Sequence, residues 1–447
     1  MTFNTDNIRK QFPITKRQVR ILDHDDPQPL IYFDHAASTH PVRRALDRYV
    51  DFLNNDYANI HRGNHLLSEL ATQQFENART DIINFIKGDP KTNTIIFSDN
   101  TTSALSLASH IMSGEEGIVV TSLFEHHSND LTHRQHSDVK HVNPKEDGTY
   151  DLEALEDVLK NNKVKLVAVT AASNSTGYMP PLAEIATLAH KHGAKILVDA
   201  AQILAHAQLQ VYKDDDPRHL DFVAAAGHKA YAPFGSAFLF GPKEIFDKSE
   251  PYRPGGGTVK WVTTDAVSYQ PSPERHEGGT PNIAGGIALA ESLAFLKDIG
   301  LENIRTHEKE LTQHLIDGIA NIKGVVVYGP LDVEERIGIV TFNINEIDHS
   351  TVASILDQEY GIAVRNGCFC AHPYLHYLLE IDPADVEKYK EQLEENDKTK
   401  VPGAVRASIG IYNSKEEIDV LIKAIKKIAK KEWSGDYSGV KAPCSSS

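Results

Sequence analysis

Residues 165–202 read KLVAVTAASNSTGYMPPLAEIATLAHKHGAKILVDAAQ and give the clearest indication of the fold class. Two continuous apolar runs, KLVAVT and AKILV, flank a segment whose apolar residues form one helical stripe: Leu182, Ile185, Ala186 and Ala189. Pro181 stands at the start of that segment and Gly193 at its end, as they do around many helices. Strands without a polar face are typical of parallel sheets covered by helices on both sides. The stretch therefore predicts a βαβ unit.

The same alternation of short apolar runs and helical patterns continues on both sides of this unit. Further runs are TIIF, GIVVTS, LDFVAAAG and SAFLFG, and they predict an α/β domain with a mostly parallel sheet. After residue 286 the chain changes to long amphipathic helices and the strands VVVYG and GIVTFNI, which indicates a smaller α+β domain. We expect residues 31–286 to form the large domain, residues 1–30 and 287–432 the small domain, and residues 433–447 a disordered tail.

Composition excludes several classes of protein. The chain of 447 residues has a formal net charge of −16 with dispersed lysines and arginines, so nucleic acid is not expected as a partner. No apolar run approaches the ~18 residues of a membrane span, and the start MTFNTDNIRKQFP has no apolar core of a secretion signal. We expect a cytoplasmic protein that does not bind a membrane.

Two of the three cysteines stand close together in RNGCFCAHP, residues 365–373. Cys368 and Cys370 are separated by one residue, which makes a bridge between them difficult, and three cysteines in a long chain do not suggest a disulfide framework. With His372 they form a C-x-C-x-H pattern, which is not a usual zinc spacing. We therefore expect neither a disulfide nor a metal here, and consider a nucleophile.

Polar residues follow three of the predicted strands directly. Asp199 ends AKILV, Asn174 follows KLVAVTAAS, and Lys229 follows DFVAAA after one glycine and His228. Because open α/β sheets bind ligands beyond the carboxyl ends of their strands, we expect these side chains to meet at one edge. A lone aspartate in such a place is commonly a helix cap, but here Asn174 and Lys229 are expected beside it.

A site for pyridoxal 5'-phosphate (PLP) contains four kinds of group, and this edge offers a candidate for each. Such a site needs a lysine for a Schiff base, a carboxylate at the pyridine nitrogen, donors for the ring oxygen, and an anion site for the phosphate. A helix that begins at FSDNTTSALSL would favour the phosphate through its free N–H groups and dipole. The candidates for the four roles are, in that order, Lys229, Asp199, Asn174 with Gln202, and Thr101 with Thr102.

Eight segments in order resemble motifs of the class V aminotransferase family, in particular the group II cysteine desulfurases. They are YFDHAAST, NIHRGNHLLSELAT, EHHSND, SNSTGYMPPLAEIATLAHKHGAKILVDAAQ, DFVAAAGHKAYAPFGSAFL, HEGGTPN, VRNGCFCAHP and VRASIGIYNSKEE, and they span about residues 8–430. The resemblance implies a PLP-dependent transferase of fold type I that removes sulfur from L-cysteine. The products would be L-alanine and an enzyme persulfide that a sulfur-acceptor protein could receive.

The resemblance also implies roles for single residues. Lys229 would carry the coenzyme, and His126 would stack on its ring and move protons, with His127 as a close rival. His228 would join the two threonines at the phosphate. Thr280 would reach the phosphate of a neighbouring subunit, which implies a homodimer. The substrate carboxylate would be bound by Arg406, with Arg365 nearby, because guanidinium suits that planar anion.

The nucleophile would be Cys370, whose thiolate takes the sulfur as a persulfide. The chain departs from the family most at Cys368 and Phe369, which replace a common His-His pair. GCFC also resembles molybdenum-cofactor sulfurases, so Cys368 either receives the persulfide or is a small buried residue without chemistry. Smaller departures are Ala226 in place of a phosphate-binding serine, His35 in place of Asn or Ser, and Ser103 in place of an acidic residue.

Other functions stay open at this point. Another class V activity, such as an aminotransferase, a C–S lyase acting on a cysteine conjugate or an epimerase, would not need Cys370. A sulfurase-like sulfurtransferase would need it. A scaffold protein without chemistry would have little reason to keep Lys229, Asp199 and the two threonines together.

Overall fold

The computed structural model describes residues 3–394 and 401–437. Its centre is a seven-stranded sheet with strand order β1-β7-β6-β5-β4-β2-β3. The strands are β1 Asn93–Ser98, β2 Ile118–Ser122, β3 Val139–Val142, β4 Val164–Thr170, β5 Lys195–Asp199, β6 Phe222–Ala226 and β7 Ala237–Pro242. Strands β2 to β6 pair in parallel, and this arrangement confirms the predicted α/β class.

The predicted βαβ unit is β4, helix Leu182–Lys191 and β5, with Ile185, Ala186 and Ala189 buried. Strand β7 differs from the parallel rule, because it pairs antiparallel with both β6 and β1. Only residues 227–236 join β6 to β7, and a parallel crossover needs a dozen residues or more. Strand β3 was missed, since it is a short and partly exposed edge strand.

A second, four-stranded antiparallel sheet belongs to the smaller domain and has the order β8-β9-β11-β10. Its strands are β8 Val325–Tyr328, β9 Ile339–Ile344, β10 Arg365–Gly367 and β11 Ala404–Ser408. Helices on this sheet bury their apolar faces in a separate core: Leu301–Ile319, His349–Tyr360 and Lys415–Ile428. The last helix begins with a capping box made by Ser414 and Glu417.

Packing crosses the predicted boundary at residue 286. Helix Ile283–Ile299 lies against helices Arg43–Asn55 and Leu66–Phe85, and its buried residues belong to the core of the large sheet. Ile8 and Phe12 pack in that same core, although they precede residue 31. In the predicted tail, Tyr437 donates to Glu359 at 3.1 Å, and residues 438–447 lie outside the described residues.

The remaining elements cover the two sheets or join them. The other helices are Thr5–Arg9, Thr101–Met112, Ser128–Arg134, Leu152–Asn161, Lys243–Lys248, His372–Leu378 and Pro383–Glu394. Three short strand pairs are Gln18–Val19 with Gln28–Pro29, Ile31–Tyr32 with Ile362–Ala363, and Val259–Val262 with Val267–Tyr269. Among the helices of the described segments, none has the length and apolar character to cross a bilayer.

Candidate active site

One cavity of about 270 Å³ lies at the carboxyl ends of β4, β5 and β6. Of the twelve residues that the sequence singles out, eleven line it: Thr101, Thr102, His126, Asn174, Asp199, Gln202, His228, Lys229, Arg365, Cys370 and Arg406. Thr280 does not. The rule that strand ends meet at one edge of a sheet accounts for Asn174, Asp199 and Lys229, whose roles stay predictions.

Burial shifts the pKa values of Asp199 and Lys229 in opposite directions. Asp199 is the last residue of β5 and is almost completely buried, and this burial raises the pKa of its carboxyl. The Ala201 N–H donates to Asp199 Oδ1 at 3.0 Å and opposes that rise. Burial lowers the pKa of the Lys229 amine to about 8, although the nearby carboxylate of Asp199 favours its charged form. Lys229 thus loses its proton far more readily than an exposed lysine.

Helix Thr101–Met112 begins at the wall of the cavity. The side chain of Asn100 caps the N–H of Ser103 at 2.9 Å, and the first two residues of the helix line the cavity. The helix dipole favours negative charge at this end. Thr102 Oγ1 lies 2.7 Å from Ser128 Oγ. Nothing in the sequence indicated that Ser128 lines the cavity. Ser128 therefore places a hydroxyl beside the start of this helix. Ala226, in contrast, has no hydroxyl at a position where the class V family commonly has a serine.

The two histidines that competed for the ring-stacking role lie in different places. His126 lines the cavity, whereas His127 does not. His126 Nδ1 accepts the N–H of Ser128 at 3.1 Å, so the neutral ring carries its proton on Nε2. Burial, and then the charge of Lys229, lower the pKa of His126 to about 3, which keeps the ring neutral near pH 7.

Arg406 is buried in the wall of the cavity and is held on several sides. Its Nη1 donates to the Asn174 carbonyl at 2.8 Å, and its Nη2 donates to Asp34 Oδ1 at 3.3 Å. The guanidinium lies 4.8 Å from the centre of the Phe369 ring. Arg365 is more exposed and approaches Asp34 Oδ2 only to 3.8 Å. No local sequence pattern indicates this role of Asp34, because its partners lie more than 300 residues away.

Cys370 lies in a tight turn formed by residues 368–371. The Ala371 N–H donates to the Cys368 carbonyl at 3.0 Å, and the two central residues have φ of +55° and +54°. Positive φ at both central positions is typical of a type I′ turn, and is rare for residues other than glycine and asparagine. Cys370 is exposed at this turn, whereas Cys368 is buried in an apolar cluster.

Thr280 lies outside the cavity, on an exposed surface. It borders a separate pocket of about 460 Å³ that Asn59 and Arg62 also line. Asn59 Nδ2 donates to Thr280 Oγ1 at 3.4 Å. Thr280 therefore does not contact the cavity of its own chain, and its contact with a neighbouring subunit stays a prediction.

One group of possible metal ligands lies outside the cavity, and its geometry argues against an ion. His190 and His219 stack at 4.0 Å with an angle of 10° beside Asp221. Lone pairs in the planes of two parallel rings cannot both point at one ion. Lys195 Nζ already donates to Asp221 Oδ1 at 2.9 Å. The group is better described as a buried carboxylate that is hydrogen-bonded by Lys195 and His190.

The chain matches known proteins over nearly its whole length. The profile of the family described as aminotransferase class-V matches residues 31–421. A probable cysteine desulfurase from Halalkalibacterium halodurans is 36% identical over 443 residues, which cover 97% of this chain and 99% of the relative. A cysteine desulfurase from Haloferax volcanii is 32% identical, with coverage of 94% and 96%.

Solved structures show the same likeness. The apo structure of a cysteine desulfurase from Thermococcus onnurineus matches with a TM-score of 0.82 at 30% identity, covering 95% of this chain and 98% of that one. A cysteine desulfurase from Escherichia coli matches with a TM-score of 0.79 at 25% identity, covering 97% of this chain and 100% of that one. These likenesses confirm the predicted fold.

Proposed function

The chain belongs to the aminotransferase class-V family and is an enzyme of the cysteine desulfurase type, and we propose that it uses PLP to move sulfur from L-cysteine to Cys370. One observation carries this proposal: an exposed thiol on a left-handed turn borders the same cavity as a half-buried lysine and a buried aspartate. An aminotransferase or an epimerase would have no use for that thiol.

The residues of the cavity fit PLP. Two buried polar atoms without a partner in the described segments, Asn174 Oδ1 and Arg406 Nε, belong to residues that line it. Both atoms are available to hydrogen-bond a ligand in the cavity. Asp199 would face the pyridine nitrogen, Lys229 would hold the aldehyde carbon, and the phosphate would lie at Thr101 and the residues around it. When bound, PLP supplies an electron sink next to the substrate.

Other cavity residues would each have a separate role in the reaction. Arg406 would hold the substrate carboxylate, His126 Nε2 would move a proton near the coenzyme ring, and Gln202 would help to orient that ring. The Cys370 thiolate would attack the substrate sulfur, so that an S–S bond forms while the C–S bond of cysteine breaks. The electron pair of the broken bond returns to carbon and takes a proton, giving alanine. L-cysteine and one enzyme thiol thus become L-alanine and one enzyme persulfide.

The test is to incubate the purified protein with L-cysteine and to measure alanine, sulfide and keto acid in parallel. In the presence of a reducing thiol, alanine and sulfide should appear in equal amounts. Pyruvate together with sulfide would favour a C–S lyase, and mercaptopyruvate without sulfide would favour an aminotransferase. Selenocysteine and a cysteine conjugate in separate reactions would define the substrate class.

The lowered pKa of Lys229 predicts how the rate of coenzyme binding depends on pH. Only the neutral amine attacks an aldehyde, so the rate at which apoenzyme takes up PLP should rise about tenfold per pH unit below about pH 8 and level off above it. An ordinary lysine side chain would level off only near pH 10.4. Growth of the visible absorbance band measures the rate, with a lysine derivative in solution as the reference.

The proposed binding of the substrate carboxylate by Arg406 predicts an effect on KM. Changing Arg406→Lys should raise the KM for L-cysteine about 10- to 100-fold, because an ammonium cannot reproduce the two parallel hydrogen bonds of a guanidinium. Arg365→Lys should change KM by less than about threefold, since the Arg365 side chain is 58% exposed and lies 3.8 Å from Asp34. Steady-state kinetics of alanine release separate the two. Equal effects of both changes would contradict the role of Arg406.

The predicted partners belong to this proposal as well. Exposure of Thr280, together with the exposed Trp261 and Val262 of the hairpin that ends at Tyr269, supports a homodimer in which Thr280 meets the partner's coenzyme phosphate. Sedimentation should then give twice the chain mass. A sulfur-acceptor protein and a cytoplasmic location complete the proposed function.

A further inference from the structure

His127 contacts the segment around Cys370 at two points, although it lies outside the cavity. Its main-chain N–H donates to the Cys370 carbonyl at 2.8 Å. Its ring Nε2 accepts the main-chain N–H of His372 at 3.1 Å. One contact is at the carbonyl of Cys370 itself, and the other is two residues later in the chain. The second contact lies at the first residue of helix His372–Leu378.

We propose that His127 is a positioning residue for sulfur transfer: its ring acceptor fixes the helix start beside Cys370 and thereby the direction in which the thiol enters the cavity. The inference rests on the proposed cysteine desulfurase function and adds a residue to it. The backbone explains why such a contact is needed. Phe369 and Cys370 have φ of +55° and +54°, and residues with a Cβ keep such values only where their surroundings hold them.

The ring of His127 has the form that this contact requires. The Nδ1 atom of His372 also lies 3.2 Å from His127 Nε2, and the two rings stack at 4.9 Å. Burial, and then the neighbouring His372, lower the pKa of His127 to about 4, so the ring is neutral near pH 7. A neutral Nε2 can accept the N–H of His372, whereas an imidazolium has only donors.

Asn174 makes the corresponding contact on the other side of the turn. Its Nδ2 donates to the Phe369 carbonyl at 2.6 Å. Asn174 also lines the cavity, so changing it would disturb the coenzyme site as well. His127 is therefore the anchor whose effect on the turn can be tested separately from coenzyme binding.

The test compares two variants of His127. His127→Phe keeps a ring for stacking and keeps the main-chain N–H, but it removes the acceptor. We expect its kcat for alanine release to fall about 10- to 100-fold, because misplacing a reacting atom by about 1 Å can cost a factor near 10². KM should change less than about twofold, since Arg406 still holds the substrate. His127→Gln, whose amide oxygen can reach the same N–H, should stay within about threefold of wild type.

A control variant and two spectroscopic checks complete the experiment. His376 lies on the same helix with its ring 6.0 Å from that of His372, so His376→Phe should leave kcat within about twofold. The visible coenzyme band and the thermal midpoint of each variant report on folding. A wild-type kcat in His127→Phe, or equal damage in His127→Gln and His127→Phe, would overturn the inference. A wild-type protein that released no alanine would instead contradict the proposed function, and the inference with it.

Discussion

Replacing Cys370 by alanine should lower alanine release from L-cysteine by at least about 10³-fold while the coenzyme stays bound, as expected for the loss of a covalent nucleophile. Cys370 is the exposed thiol of the turn and borders the cavity, and the side chain of Cys368 is buried among apolar residues. Alanine is the appropriate replacement, because it keeps a Cβ at a position with φ of +54°. Glycine would relax the backbone and change two properties at once.

The matched control for this change is Cys368→Ala. If Cys368 is only a small buried residue, alanine release should remain within about threefold of wild type. A loss as large as that of Cys370→Ala would mean that the second thiol takes part in the transfer. Mass spectrometry after a single turnover without reducing thiol measures the persulfide. It should add about 32 Da, the mass of one sulfur atom, to the wild type and nothing to Cys370→Ala. Retention of more than about a tenth of the activity in Cys370→Ala would favour an aminotransferase or a lyase.

The sequence was most informative where local pattern and fold rule agree. Continuous apolar strands predicted a parallel sheet, and the carboxyl ends of parallel strands share one edge. Asn174, Asp199 and Lys229 line one cavity for that reason, since β4, β5 and β6 are neighbours. The resemblance favoured His126 and left His127 as a close rival, because which of the two lines the cavity depends on how the loop after β2 turns.

Features that depend on distant contacts could not be predicted. Asp34 reaches Arg406 because residue 34 bridges to Ser408 at the end of β11. The left-handed turn at Phe369 and Cys370 has neither glycine nor asparagine as a local signal, and contacts from other parts of the chain hold it. Strand β7 runs antiparallel because its connection is short, which a pattern of apolar runs alone does not reveal.

Replacing Lys229 by alanine should have the largest effect of all, with activity falling by about 10⁴-fold or more and the coenzyme lost on gel filtration. The amine emerges directly after β6, in the turn Gly227–Lys229, and burial holds its pKa at about 8. No other amine is described in the lining of the cavity. Without it the coenzyme has no covalent attachment, although the phosphate site at Thr101 and the carboxylate of Asp199 remain.

Borohydride reduction of the holoenzyme provides the direct measurement. It should abolish the visible band and leave the coenzyme on the peptide that contains Lys229. Lys165 is the matched control, because it is also largely buried, and burial also lowers its pKa. Its Nζ donates to the Glu115 carbonyl at 3.0 Å, away from the cavity, so Lys165→Ala should keep both the band and the activity. Label on any other lysine, or a borohydride-sensitive band in Lys229→Ala, would contradict the assignment of Lys229, because only a lysine in the cavity can reach a coenzyme whose ring nitrogen faces Asp199.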